Sequence, residues 1–199
     1  MNKEQEISYK WYKERINKYR TAKQKRDSEE YRKMERRAIK EGSFIMFNYK
    51  NPVGKDKKTL RWFDENPVNV ILRLSGNDML CLNFHFSPRV FRKSILEFIF
   101  KLNKFAISKD KRFELTYQEM KEYLKRNGLE LMIHRYKVNR ITNLQYIKLS
   151  EVKYIAEIPS EKFIIQDKSI TEEDLYNMIR SHSRQSKKAK NTRFGRPVK

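Results

Sequence analysis

Between Phe44 and Leu102 the chain holds three strand-like apolar runs, two turn-rich connections and an apolar segment after Ser87-Pro88. That order constrains the fold more than any other feature, because a tight hairpin enforces antiparallel pairing and an apolar helix beside it must cover a sheet face. Phe44 to Tyr49 reads as a strand with Phe44, Met46 and Asn48 on one face and Ile45, Phe47 and Tyr49 on the other. Val68 to Leu74 is a β-rich run that alternates imperfectly, and Ser75-Gly76-Asn77-Asp78 is a hairpin signal. The returning run, Met79 to Phe86, sets Met79, Cys81, Asn83 and His85 opposite Leu80, Leu82, Phe84 and Phe86. Ser87 is a cap residue before proline at the first helical position. Phe91, Ile95, Phe98, Ile99 and Leu102 then mark the core face of a helix over Val90 to Phe105.

The flanks differ in character. Residues 3–41 lack Gly and Pro and are dense in Lys, Arg, Glu and Gln, so they read as one or two helices. Ile7, Trp11, Tyr12, Ile16 and Tyr19 give a narrow stripe that suits either packing on the chain's own domain or an arm ordered in an assembly. Downstream, Thr116 to Glu119 matches a capping box for a helix that ends after Arg126 at Asn127-Gly128. Leu129 to Tyr136 suggests a helical turn packing Leu131, Met132 and Tyr136, and Lys137 to Asn143 an irregular basic segment. Tyr146 to Leu149 reads as a strand, Ser150 as the cap of a turn reaching Tyr154, and Ile155 to Ile158 as extended chain. Phe163 to Ile165 would close the sheet, and Thr171 with Asp174 caps a helix whose apolar face is Leu175, Met178 and Ile179. The expected architecture is α+β: a small antiparallel sheet, open or barrel-like, packed by helices. A charged helical arm (residues 1–41) precedes a domain at 42–180, and a basic extended tail (181–199) follows it.

Charge narrows the partners. The chain carries 46 Lys and Arg against 25 Asp and Glu, a net +21, and residues 180–199 hold eight basic and no acidic side chains. Such an excess self-repels unless it meets a polyanion, so nucleic acid, an anionic surface or an acidic protein is expected nearby. Candidate phosphate contacts are Lys50, Lys55, Lys57, Lys58 and Arg61 in and after a loop, and Arg89, Arg92 and Lys93 in the first turn or so of the core helix. That last group opposes the helix dipole unless an anion sits there. Arg135, Lys137 and Arg140, standing between Tyr136 and Tyr146, and Arg184, Lys187, Lys188, Lys190, Arg193 and Arg196 in the tail complete the set.

Catalytic chemistry finds little to stand on. There is no phosphate-binding glycine loop, no dinucleotide motif and no His-Glu-x-x-His site, and the three histidines are scattered. His85 has no Ser, Cys or carboxylate at a triad spacing, so a hydrogen-bonded structural role is expected. Asp64, Glu65 and Asp78 as magnesium ligands of a nuclease are the weaker reading, since turn chemistry and solvation explain them. No catalytic set, metal or cofactor is assigned. The lone Cys81 precludes an intramolecular disulfide, and neither a membrane span nor a signal peptide is recognisable, so an intracellular protein is expected.

The order of motifs resembles the DNA end protector family of tailed bacteriophages. The resemblance covers about residues 42–165 and rests on two elements, Leu60, Trp62, Phe63, Asp64 and Pro67, then Leu82, Asn83, Phe84, His85 and Phe86. Leu115 to Tyr117 and the Tyr146 to Phe163 pattern are similar as well. Cys81 stands where that family's pattern has glycine, and Val152 or Tyr154 where it has a tryptophan. What the resemblance implies is a minor virion protein, made in the host cytoplasm and assembled in multiple copies with portal, neck or tail components at the ends of packaged DNA, with no catalytic residues. DNA would be bound non-specifically, through phosphates. The alternative is a purely architectural tail, baseplate or neck component whose basic arms hold acidic neighbours; a third reading is an RNA-associated ribosomal-type protein.

Overall fold

A computed structural model describes residues 2–22, 39–49, 64, 66–103, 117–159, 164–165, 168–169 and 171–181. In chain order they form α1 (Lys3–Ala22), β1 (Phe44–Tyr49), β2 (Val68–Ser75), β3 (Asp78–Asn83), α2 (Arg89–Leu102) and α3 (Tyr117–Arg126). A 3-10 turn (Glu130–Met132), β4 (Ile133–Lys137), a second 3-10 turn (Val138–Arg140) and β5 (Ile141–Tyr146) follow. A long 3-10 segment (Leu149–Glu157), the short β6 (Ile164–Ile165) and β7 (Lys168–Ser169), and helix α4 over residues 172–181 complete them. The fold is α+β, and the five-stranded sheet is antiparallel in the order β4-β3-β2-β1-β5.

The alternation read from the sequence sorts the two sheet faces. Phe44, Met46, Val68, Val70, Leu72 and Leu82 point into a core shared with α1 to α4, while Ile45, Phe47, Ile71, Met79 and Cys81 point the other way. A register shift between Ile71 and Arg73 explains why β2 alternates imperfectly: one extra residue, Leu72, is accommodated opposite β3. The hairpin closes on the Ser75 and Asp78 pair, with Gly76 at φ 56, a left-handed value that glycine adopts without Cβ strain.

The sheet is not closed into a barrel, but it curls. In a flat sheet three strand steps of about 4.8 Å would hold β1 and β4 roughly 14 Å apart, beyond the reach of one tyrosine. Yet the Tyr49 hydroxyl accepts the Lys137 N–H at 3.1 Å, and the Phe47 and Tyr136 rings meet edge-on at 5.1 Å. Phe47, Tyr49 and Tyr136 thereby fill the concave face that a barrel would enclose.

Several connections differ from the expectation. Ile133 to Lys137 is a strand rather than a helical turn, and Lys137 to Asn143 passes through a 3-10 turn into β5. The strand expected from Tyr146 ends there, and Leu149 to Glu157, including the supposedly extended 155–157, is 3-10. Ile164 and Ile165 pair with β7 in a separate two-stranded sheet and so close nothing. The Ser87 side chain does not cap α2; its hydroxyl donates to the Pro88 carbonyl at 3.3 Å. The capping box of Thr171 and Asp174 is present, with the Thr171 N–H donating to Asp174 at 3.1 Å and the Asp174 N–H donating back at 3.1 Å. Residues 104–116, including the capping threonine expected at 116, lie outside the described residues.

Helix α1 packs on the domain through Ser8, Trp11 and Tyr12, all buried. The contact is clasped by Glu151, which accepts from Arg15 Nη2 at 2.6 Å, Trp11 Nε1 at 3.2 Å and the Lys148 N–H at 3.1 Å. Burial pushes the Glu151 carboxyl up, but the bonds from Arg15, Lys148 and Trp11 together outweigh it and hold the group below its ordinary value. A carboxyl depressed in the folded state stabilises it above the unfolded value and loses that contribution as pH falls through the folded one. In a Trp62→Phe background, Trp11 emission is therefore expected to shift red on acidification below the ordinary glutamate range. Adding Glu151→Gln should abolish that pH-linked step; an identical step in the glutamine variant would assign it to another group.

Candidate nucleic-acid interface

Of the first resemblance element, Leu60, Trp62 and Phe63 lie outside the described residues, but Asp64 meets Asn83 and His85 of the second. Its Oδ2 lies 2.9 Å from His85 Nδ1 and accepts from Asn83 Nδ2 at 3.1 Å, while Oδ1 accepts the Asn66 N–H at 3.1 Å. Asn83 ends β3 and caps the turn beyond it: its side-chain oxygen accepts the N–H groups of His85 at 2.8 Å and Phe86 at 3.3 Å. Its amide also reaches the Tyr136 hydroxyl at 2.8 Å. Asn48 donates to the Asn66 side chain, Asn143 donates to Asn48 at 2.7 Å, and the Tyr12 hydroxyl donates to the Asn66 carbonyl at 3.4 Å. One network thus ties α1, β1, β3, β4 and β5.

This histidine and carboxylate are paired but sealed. His85 has no exposed surface, Asp64 is 7 % exposed, and the edge of Tyr12 packs on the imidazole with ring centroids 5.1 Å apart. His134 meets Phe86 edge-on and stacks on Tyr136, and burial pushes it down to about 4 against the opposing pull of Asp64 and the Leu131 backbone. Burial likewise pushes the Tyr136 hydroxyl up. The arrangement holds strand ends and turns. Among the described residues no group of three or more His, Cys, Asp or Glu is placed to hold a metal ion, and no helix is long and apolar enough to cross a membrane.

The basic candidates separate into different roles. Arg92 is wholly buried, with Nε donating to the Ser87 carbonyl at 2.8 Å and Nη1 to the Ile158 carbonyl, so it is a core residue and not a phosphate contact. The anion expected at the start of α2 comes from within the chain: Glu172 of α4 accepts the Arg89 N–H, and its other oxygen lies 3.6 Å from Arg89 Nε. Lys93 is exposed on α2 and lines a groove of about 490 Å³ with Glu4, Ile7, Glu97, Phe100 and Glu157. Tyr136 is buried in the aromatic cluster, so its interleaving with basic residues offers no stacking platform.

Arg135 and Lys137 are exposed on the edge strand β4, and Arg140 is half-buried at the end of the 3-10 turn. Arg73, which the sequence reading left out, joins them. In register, Arg73 pairs with Leu80 and Leu80 with Arg135, so the three side chains stand in one row on one sheet face. Arg73, Ser75, Asp78, Leu80 and Arg135 line a cavity of about 230 Å³ at the hairpin end. Lys137 Nζ sits 2.8 Å from Asp78 Oδ1, a bond that, with the charges of Lys137 and Arg135, holds this carboxyl below its ordinary value despite some desolvation. The signal for Arg73 was present as the single charged residue in its strand. Lys50, Lys55, Lys57, Lys58, Arg61 and the tail residues Arg184, Lys187, Lys188, Lys190, Arg193 and Arg196 lie outside the described residues.

In comparisons with known proteins, no family model matches this chain, no curated protein matches it, and no solved structure matches it.

Proposed function

We propose that this chain is a DNA-associated structural protein of a tailed-bacteriophage virion, of the DNA end protector type, which binds duplex phosphates without reading sequence. The observation that carries the DNA reading is the charge: +21 overall, with eight basic and no acidic residues in the last twenty. The exposed Arg73 and Arg135 on the folded body add to it. The virion reading is supported by the two resemblance elements, of which Asp64 of the first bonds Asn83 and His85 of the second. Phosphate contacts release counterions, so affinity for a linear duplex should fall about tenfold or more between roughly 50 and 200 mM salt. Fluorescence anisotropy across a salt series measures this, and salt-insensitive binding, or none at the lowest salt, overturns the reading.

The architectural alternative has one observation in its favour, the partly apolar groove between α1, α2 and the long 3-10 segment, with Ile7 exposed beside it. Deleting residues 182–199 separates the two: loss of particle incorporation with intact DNA binding favours architecture, and loss of DNA binding favours the first reading.

A further inference from the structure

We propose that the hairpin end of β2 and β3 is a discrete seat for a phosphate group, held between the guanidinium groups of Arg73 and Arg135 beside the Ser75 hydroxyl. The inference rests on the DNA-binding reading for the identity of that phosphate, a diester of the duplex backbone, and on geometry for its place.

The sheet face that carries Leu82 and Ile133 is covered by helices, but it runs past them toward the Ser75 to Asp78 turn. There the same face presents Arg73, Leu80 and Arg135 in a lateral row across three strands. Two strand spacings put the two arginine Cα atoms about 10 Å apart, a span that two long guanidinium side chains close around one small anion. Both line a single cavity, and both are exposed, so an anion can enter it. The carboxylate in the lining, Asp78, is already engaged by Lys137 at 2.8 Å. Counting Arg73, Arg135 and Lys137 against Asp78 leaves a surplus of two positive charges around one concavity. Guanidinium planes suit phosphate oxygens better than lysine point charges do, and Ser75 supplies a neutral donor.

The seat is also held in place. Beyond the turn, the Asn77 carbonyl accepts the Val138 N–H at 2.9 Å and the Asn77 side chain accepts the Asn139 N–H at 3.0 Å. These bonds fix β4, and with it Arg135, relative to the hairpin that carries Arg73. A positioned pair of this kind differs from the cations of an extended tail because it loses little freedom on binding.

Two measurements on the full chain test the seat. In the first, inorganic phosphate is titrated against matched ionic strength of sodium chloride while backbone amide NMR shifts are followed. Saturable shifts confined to Arg73, Ser75, Leu80 and Arg135, lost in the Arg73→Gln/Arg135→Gln variant, are expected; shifts no larger than those with chloride overturn the seat. In the second, duplex affinity is measured across salt. The same double variant should make the slope of log affinity against log salt shallower by about two, whereas Lys121→Gln/Lys125→Gln on the exposed face of α3 should move it far less. Equal effects from both pairs would mean diffuse charge and would sink the seat while leaving DNA binding intact. Phosphate-dependent shifts in a chain that binds no duplex at any salt would instead overturn the DNA reading and leave an anion site.

Discussion

Asp64→Ala is expected to remove about 3–5 kcal/mol of folding stability, the cost of taking one acceptor away from several hydrogen-bond partners in and beside the core. Asp64 bonds three groups at once, Asn83 Nδ2, His85 Nδ1 and the Asn66 N–H, and the first two are fully buried, with no water to turn to when the carboxylate is removed. Typical domains have only about 5–15 kcal/mol in total, so the variant should be close to unfolding at growth temperature. Asp64→Asn is not a rescue, because it aims an N–H at one of the donors; it should lose roughly 2–4 kcal/mol. Urea denaturation followed by far-UV circular dichroism measures both. A loss below about 1 kcal/mol for alanine would show that the network is not what fixes the two elements together. A cycle with His85→Leu should be strongly non-additive, since either change alone disconnects the same bond.

How much of this was legible depended on whether the determining contacts were local. The alternation of β1, the Gly76 turn, the face assignment of Met79 to Leu82 and the box of Thr171 with Asp174 are set by residues a few positions apart, and each stands in the structure, whereas the strand expected to reach Phe86 ends at Asn83 and gives way to a turn. Ile133 to Lys137 was misread because Leu131, Met132 and Tyr136 suggest the apolar side of a helical turn. What decides the segment is its pairing with β3, a partner more than fifty residues away. The long 3-10 segment and the curl of the sheet are settled in the same way, by Glu151 clasping α1 and by Tyr49 meeting β4. Asp64, Asn83 and His85 were recognisable as motif residues, but nothing local says that they touch. The basic set was harder, since a cation in a sequence does not disclose its neighbours: Arg89 meets Glu172, and Arg73 finds Arg135 only through the register of two strand pairs.

Arg92 is the residue whose role changes most, and its substitution is expected to have the second large effect. The guanidinium is completely buried and bridges the Ser87 carbonyl, just before α2, to the Ile158 carbonyl, at the end of the long 3-10 segment. Arg92→Ala removes charged hydrogen bonds, strands both carbonyls and leaves a cavity, a combined loss of about 3–5 kcal/mol. Arg92→Lys keeps the charge but cannot address two carbonyls through separate nitrogens of one rigid plane, and should lose roughly half as much. Arg92→Met keeps most of the volume and removes the buried charge together with its desolvation cost, so it should lie between wild type and alanine. The same variant separates a core role from a phosphate contact. In conditions where Arg92→Met remains folded, its duplex affinity should show the wild-type salt slope; a slope shallower by about one would put Arg92 back among the residues that touch DNA.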